Sequence, residues 1–155
     1  MIMDVMEIQK ILPHRYPFLF VDAIVEMEHM KSIVGLKNVT VNEAYFQGHF
    51  PGAPVMPAVL ILESMAQTGG LLLLQEVPDR DKKVLYFVAV DGARFRRPVV
   101  PGDQLRVEMT VLHWRGDFCK LLGRATVNGQ LAAEATLMAK MVDRVPAAQA
   151  EKSAK

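Results

Sequence analysis

A chain of 155 residues is long enough for one domain that buries a core of its own. Its 51% hydrophobic and 23% charged residues exclude a largely disordered chain, and its formal net charge of +1 provides no overall field that would attract nucleic acid. The single cysteine, Cys119, excludes an internal disulfide and favours a reducing, cytoplasmic setting, and the N-terminus carries no visible signal peptide.

The N-terminal third predicts a short helix followed by a β-hairpin. Asp4 and Glu7 have the spacing of a capping box, which places a helix from Val5 to about Leu12, where Pro13 stops it. The apolar and β-branched segment 18–28 is typical of a strand, and segment 32–39 is its expected antiparallel partner.

The middle of the chain predicts an irregular loop and then one long helix. Residues 42–57 are dense in Gly and Pro, which disfavours regular structure, and Pro57 suits the first turn of a helix that runs to about Glu76. The stretch 55–74 is apolar and nearly long enough to cross a bilayer, but Glu63 in its middle would cost about 2.5–3.5 kcal/mol there. We therefore predict no membrane span and a helix buried inside a soluble protein.

The C-terminal half reads as antiparallel strands. Segments 84–95 and 119–127 are strand-like runs, and apolar residues alternate with others along segments 105–111 and 131–141. Asn128-Gly129 is a strong hairpin signal because both central residues of that turn need positive φ. We predict one domain over residues 1–145 and a disordered tail over 146–155.

These elements predict an α+β fold. A helix that is hydrophobic on nearly every face must be covered on nearly every face, and a strongly curved antiparallel sheet of five or six strands would wrap around it. One sheet cannot enclose every side of the helix, so a second subunit is a natural way to cover the remainder.

The long helix carries two polar residues that could take part in chemistry. Glu63 lies among Leu60, Ile61 and Met65, and a glutamate in such surroundings is rarely buried unless it is paired or protonated. Gln67 is four residues later on the same face, where its amide could orient the carboxyl group for acid–base work. The alternative is that the two residues form the single solvent-exposed stripe of the helix.

The loop before the helix supplies a candidate base. His49 lies between Gly48 and Phe50, and its second ring nitrogen could be oriented by a loop carbonyl such as that of Val55. At the helix start, the N–H groups of Ala58 and Val59 lack internal partners and could polarise a carbonyl oxygen. A lone loop histidine is more often structural or solvated, and every helix offers free N–H groups.

Other chemistries lack their motifs. The four histidines have no metal-ligand spacing with acids or with the cysteine, no Gly-rich phosphate loop follows a strand, and no nucleophile elbow is present. The sequence therefore predicts neither a metal nor a cofactor.

Three blocks resemble the β-hydroxyacyl-(acyl-carrier-protein) dehydratases of type II fatty acid synthesis. They are LPHRYPFLFVD at 12–22, FQGHFPGAPVMPAVLILESMAQ at 46–67 and FRRPVVPGDQL at 95–105. The resemblance implies a hot-dog fold, a homodimer that is often assembled as a trimer of dimers, and a catalytic pair of His49 and Glu63 in which each residue faces the other across the subunit boundary. It also implies that Ala58 replaces the usual glycine, which keeps the N–H group but adds a methyl group to the pocket.

The activity implied by the resemblance is dehydration of (3R)-hydroxyacyl-(acyl-carrier-protein) to the trans-2-enoyl thioester in fatty acid biosynthesis. Glutamate at position 63, where another branch has aspartate, implies no isomerisation of the product. The rivals are an acyl thioesterase, an enoyl hydratase, and a non-catalytic acyl-carrier-binding protein of the same fold. Six aromatic residues are candidates for an acyl tunnel, of which we expect two or three to line it: Tyr16, Phe18, Phe46, Phe50, Phe87 and Phe95.

A basic cluster could bind the acidic surface of the acyl carrier protein. Arg94, Arg96 and Arg97 form this cluster, and Lys82 and Lys83 lie nearby in sequence. The alternative is an ordinary solvated strand edge.

Overall fold

Six strands and one long helix make up most of the computed structural model, which describes residues 1–145. The predicted disordered tail, 146–155, lies outside the described residues. In chain order the helices and strands are α1 Val5–Gln9, β1 Ala23–Glu28, β2 Ser32–Asn38, α2 Ala58–Gln75, β3 Lys83–Phe95, β4 Gln104–Arg115, β5 Phe118–Val127 and β6 Gln130–Asp143. Short 3-10 turns lie at Ala44–Gln47 and Arg80–Lys82.

All six strands belong to one antiparallel sheet in the order β1-β2-β4-β5-β6-β3. The predicted hairpin between the first two strands is confirmed, as is the turn at Asn128-Gly129, where φ is 49° and 78°. Strand β3 lies at an edge, because its chain connects to β4 but its pairing is with β6.

Helix α2 lies against the sheet and forms the centre of the core. It contacts β2, β3, β4, β5 and β6, and its second half, from Ser64 to Leu74, is buried. Within residues 1–145 it is the one helix long and apolar enough to cross a membrane, and the sheet encloses most of it. Because the sheet already covers these apolar side chains, the helix is the core helix that the sequence predicted.

The glycine at position 35 lets the sheet approach α2 closely. A Cβ atom there would lie 2.8 Å from Thr68 Oγ1 and 3.2 Å from a methyl carbon of Val21. The first distance is shorter than real Cβ contacts and the second is tighter than most of them, so a larger side chain would force Thr68 and Val21 to shift.

One strand prediction was wrong in its first half. Residues 18–21 do not join the sheet, because side chains of α2 take hydrogen bonds that a neighbouring strand would have made; the bonding to β2 begins at Asp22, whose N–H donates to the Leu36 carbonyl at 2.7 Å. Gln67 accepts from the Phe20 N–H at 2.7 Å and donates to the Phe18 carbonyl at 2.8 Å, while Ser64 Oγ donates to the Phe20 carbonyl at 2.8 Å. The chain is extended there, but it hydrogen-bonds to side chains of α2 instead of to a strand.

The predicted helix ends needed smaller corrections. The capping box of α1 is present, with Asp4 and Glu7 bonded to each other's backbone N–H groups, but the helix ends at Gln9 and continues as a turn towards Leu12. Pro57 lies at the N-cap of α2, one residue before the helix begins.

Candidate active site

The imidazole of His49 is oriented by the loop that precedes α2. Val55 N–H donates to the His49 carbonyl at 3.0 Å, and His49 Nδ1 lies 2.7 Å from the Val55 carbonyl oxygen. A carbonyl can only accept, so Nδ1 carries the proton in this contact. Nε2 of a neutral His49 therefore presents a lone pair, which is the form that a general base requires.

This ring opens on a cavity of about 390 Å³, here called the His49 cavity. Ala58 lies in its wall, so the first residue of α2 and the imidazole face the same space. The N–H groups of the first helical turn have no partner inside the helix and carry partial positive charge. The side chain of Val59, in contrast, is 69% exposed and does not line the cavity.

The carboxyl group of Glu63 is held by the amide of Gln67. Gln67 Nε2 donates to Glu63 Oε1 at 2.9 Å, and the Glu63 side chain is 27% exposed. Gln67 itself is almost fully buried and bonded to the backbone of Phe18 and Phe20, so its amide cannot turn over without placing N–H against N–H. The group that faces Glu63 is therefore fixed as a donor.

Glu63 lines a second cavity, of about 380 Å³, here called the Glu63 cavity. Apolar side chains and one glycine follow it along α2 and the facing elements: Leu12, Ala66, Gly70, Leu74, Leu85 and Phe87. This arrangement places a stripe of apolar side chains next to a carboxyl group, in a cavity whose remaining wall includes charged residues. A bound hydrocarbon chain would pack against the apolar side chains and have the Glu63 carboxyl group at one end.

Within one chain the two candidate catalytic groups lie on different sides of α2. Ile61 lines the His49 cavity and Glu63 lines the other, and two residues correspond to about 200° around an α-helix. The two cavities share no lining residue in the described part of the chain. The loop and helix therefore do not bring base and acid together in one protomer, although they sit close in sequence.

Of the candidate aromatic residues, two line the cavities, one is buried in the core and one is strongly exposed. Phe87 lines the Glu63 cavity and Phe95 lines the His49 cavity. Phe46 is buried in the core, whereas the side chain of Tyr16 is 79% exposed.

The basic cluster borders the His49 cavity. Arg96 and Arg97 line it, and both are already engaged, Arg96 with Glu134 at 2.5 Å and Arg97 with Asp103 at 3.4 Å. Arg94 makes a hydrogen bond to a neighbouring backbone carbonyl at 3.1 Å. The two ion pairs offset part of the positive charge that the cluster places beside the candidate base.

Lys82 and Lys83 do not belong to this cluster. Lys82 ends the 3-10 turn and Lys83 begins β3, whereas Arg94 is 11 residues further along the strand, which corresponds to about 36 Å. Lys83 is bonded to Asp143 at 2.6 Å. Proximity in sequence was misleading because the intervening residues form one extended strand.

Sequence reasoning gave no role to His14, which the structure places beside Glu63. His14 Nε2 is 3.6 Å from Glu63 Oε1, and burial lowers the pKa of His14. The contact joins residues far apart in the chain, so no periodicity in the sequence could reveal it. Its one signal was its place between Pro13 and Arg15 in the first of the three resembling blocks.

The chain is similar to a known protein family over most of its length. A family model described as the FabA-like domain matches residues 12–136. This range contains all the residues named above as lining the two cavities. The chain belongs to the FabA-like family. Its FabA-like relatives include proteins named 3-hydroxyacyl-(acyl-carrier-protein) dehydratase FabZ. The one from Koribacter versatilis is 54% identical over 92% of both chains, and the one from Geotalea uraniireducens is 56% identical over 92% of this chain and 99% of its own.

Solved structures agree with the FabA-like assignment at the level of the fold. The dehydratase heterocomplex ApeI:P from Xenorhabdus doucetiae superposes with a TM-score of 0.75 at 16% identity, covering 92% of this chain and 95% of the other. A hot-dog-like protein from Thermanaerovibrio acidaminovorans gives 0.62 at 20% identity, covering 79% and 87%. The predicted hot-dog fold, a curved antiparallel sheet around one long helix, is therefore confirmed.

Proposed function

We propose that this FabA-like chain removes water from 3-hydroxyacyl thioesters carried on acyl carrier protein, in fatty acid biosynthesis. The names of its relatives, more than 50% identical over nine-tenths of the chain, support the reaction class. The observation that carries the chemistry is the 2.7 Å contact between His49 Nδ1 and the Val55 carbonyl, because it leaves Nε2 as a base.

In the proposed reaction His49 Nε2 takes a proton from C2 of the acyl chain. The thioester oxygen, which gains negative charge, accepts a hydrogen bond from the Ala58 N–H and, we propose, from that of Val59. Glu63 gives its proton to the 3-hydroxyl oxygen, the C3–O bond breaks, and water leaves as the C2–C3 double bond forms. Each proton-transfer group contributes about 10²–10⁴-fold to the rate.

We propose that the working unit is at least a homodimer in which His49 of one protomer faces Glu63 of the other. The placement of the two groups in separate cavities supports this, since neither cavity holds both. The edge strand β3 also supports it: Tyr86, Val88 and Val90 alternate on its exposed side, each close to half exposed or more. An apolar edge strand of this kind is suited to pair with a second copy.

The acyl tail, in this proposal, runs from Glu63 along α2. Glu63, Gly70 and Leu74 lie on one stripe of the helix, about 16 Å from first to last, and line the same cavity. A substrate chain covered by these residues excludes water from the carboxyl group, which favours proton transfer to the departing hydroxyl.

The carrier protein, which is the proposed partner, would dock beside the His49 cavity on Arg94, Arg96 and Arg97. Charge reversal in Arg96→Glu should raise KM for carrier-bound substrate and leave small thioesters unaffected. The matched control is Arg106→Glu on β4, which breaks a comparable surface ion pair with Glu26 on β1. A similar rise in KM for both substrate types would remove this docking surface from the proposal.

The decisive experiment incubates the protein with 3-hydroxyacyl carrier protein and follows the loss of water by mass spectrometry. A thioesterase would instead release a free thiol, and a non-catalytic binder would leave the substrate intact. His49→Ala and Glu63→Gln should each lose about 10²-fold or more of the activity. Full activity in either variant would contradict the assignment of that residue.

Mixing the two inactive variants tests the shared site. If subunits exchange at random, half of the dimers are mixed and each has one intact site, so about one quarter of wild-type activity returns. No recovery after verified subunit exchange would place both groups in one protomer and refute the dimer proposal.

A further inference from the structure

The ring of His14 is held in a fixed place against α2. The Arg15 guanidinium donates to three backbone carbonyls around it, those of Gln9 at 3.0 Å, Leu12 at 2.9 Å and His14 itself at 2.7 Å. The imidazole also stacks on Phe18, with ring centroids 6.5 Å apart and planes at 21°. The backbone hydrogen bonds of Arg15 and the stacking on Phe18 together restrict the movement of the His14 ring.

Only one oxygen of Glu63 faces these fixed groups. Gln67 Nε2 donates to Oε1 at 2.9 Å, and His14 Nε2 approaches the same Oε1 at 3.6 Å. In the described residues no hydrogen bond involves Oε2. The carboxyl group of this cavity-lining residue therefore has one held oxygen and one oxygen that no hydrogen bond in the described residues engages.

The protonation of His14 points to the same arrangement. Burial lowers the pKa of His14, with Glu63 opposing and Arg15 reinforcing this shift, so the ring is neutral at pH 7. Its Nδ1 is buried without a partner in the part of the chain that the structure describes. An N–H buried without a partner is more costly than an unused lone pair, so the single proton belongs on Nε2, facing Glu63.

We propose that His14 is a positioning residue for Glu63: its Nε2–H, together with the Gln67 amide, holds Oε1 and leaves Oε2 as the oxygen that carries and delivers the proton. This inference rests on the proposed role of Glu63 as the acid. The Gln67 amide donates to Oε1 and the His14 N–H lies 3.6 Å from the same oxygen, so negative charge is favoured on Oε1 and the carboxyl proton sits on Oε2. When that proton passes to the 3-hydroxyl oxygen and the C3–O bond breaks, Glu63 becomes a carboxylate and the His14 contact shortens to a full hydrogen bond.

A matched pair of amide variants tests the inference. Glutamine at position 14 can place its N–H near the position of Nε2, whereas asparagine is one carbon shorter and cannot reach Glu63. We expect His14→Asn to lower kcat about tenfold with little change in KM, and His14→Gln to recover most of that loss. His113→Asn, an exposed histidine on β4, is the control and should behave as wild type.

The pH profile separates positioning from simple folding effects. Donors favour the charged form of a carboxyl group, so removing one should shift the alkaline limb of kcat/KM to higher pH in His14→Asn but not in His14→Gln. Glu63 and Arg15 are the charged groups nearest the ring. The other charged residues lining the cavity are Lys10, Arg80, Asp81, Lys83 and Arg144. These are unchanged in both variants.

Two outcomes would overturn the inference. Equal kcat and equal pH profiles for the asparagine and glutamine variants, with both folded by circular dichroism, would show that reach to Glu63 is irrelevant. A tenfold effect of His14→Asn that persists in a Glu63→Gln background would show that His14 does not act through Glu63. Full activity of Glu63→Gln alone would instead refute the role of Glu63 as the acid, and absence of dehydration by the wild-type protein would refute the proposed function, so the failures are distinguishable.

Discussion

Replacement of Gln67 by leucine should destabilise the protein through two backbone groups that have no other partner. Gln67 is 2% exposed and binds the Phe20 N–H and the Phe18 carbonyl in addition to Glu63. Leucine has a similar size but neither donor nor acceptor. Both backbone groups would be left unsatisfied against α2, since the extended segment has no neighbouring strand there.

The magnitude follows from these two losses. Each buried backbone group left without a partner costs about 1–3 kcal/mol. The added apolar burial of leucine offsets about 1 kcal/mol. We expect the free energy of unfolding to fall by about 2–4 kcal/mol, and Tm to fall by about 5–15 °C for a domain of this size.

Urea and thermal unfolding at a fixed protein concentration would measure the effect, since self-association makes stability depend on concentration. Gln75→Leu is the matched control on the same helix, because the amide of Gln75 contacts only the sulfur atoms of Met3 at 3.8 Å and Met27 at 3.5 Å. That variant should change stability by less than about 1 kcal/mol. Equal losses in the two variants would refute the reasoning that backbone satisfaction is what Gln67 provides.

Three further predictions concern stability and reactivity. Gly35→Ala should cost about 1–3 kcal/mol because its Cβ would overlap Thr68, whereas Gly48→Ala, which meets nothing within 4 Å, should be nearly neutral in the same urea titration. Cys119 is buried, and burial raises the pKa of its thiol to about 11, so iodoacetamide at pH 8 should label it only after unfolding; rapid labelling of the native protein would contradict this. Because the folded state keeps His14 neutral at a pH where the unfolded chain protonates it, the free energy of unfolding should fall as the pH drops below about 6.5, and a His14→Gln variant should lack that part of the decrease.

The sequence predicted the elements that local chemistry determines. Alternating residues located β4 and β6, and Asn128-Gly129 located the turn between β5 and β6 because few residues accept positive φ at two consecutive positions. The long helix was predicted within one residue at each end, since Pro57 and Pro78 bound a continuous apolar stretch.

The sequence failed where a distant partner decides the structure. Segment 18–21 has the composition of a strand, yet Gln67 and Ser64, more than 40 residues later, take up its hydrogen bonds. His14 was passed over for the same reason, because its neighbour Glu63 lies on another element. The contacts of Val55 with His49 and of Gln67 with Glu63 were expected, because six- and four-residue spacings keep both partners in one loop or on one helix face.

The order of elements along the chain has a consequence for biosynthesis. The apolar helix α2 ends at Gln75, but β5 and β6, which pack beside β4 to complete the cover over it, are not finished until Asp143. At about 5–20 residues per second, a ribosome needs several seconds to make that remainder. During this interval the apolar helix has no complete sheet to pack against, and exposed apolar surface of this kind favours aggregation until the last strand is made.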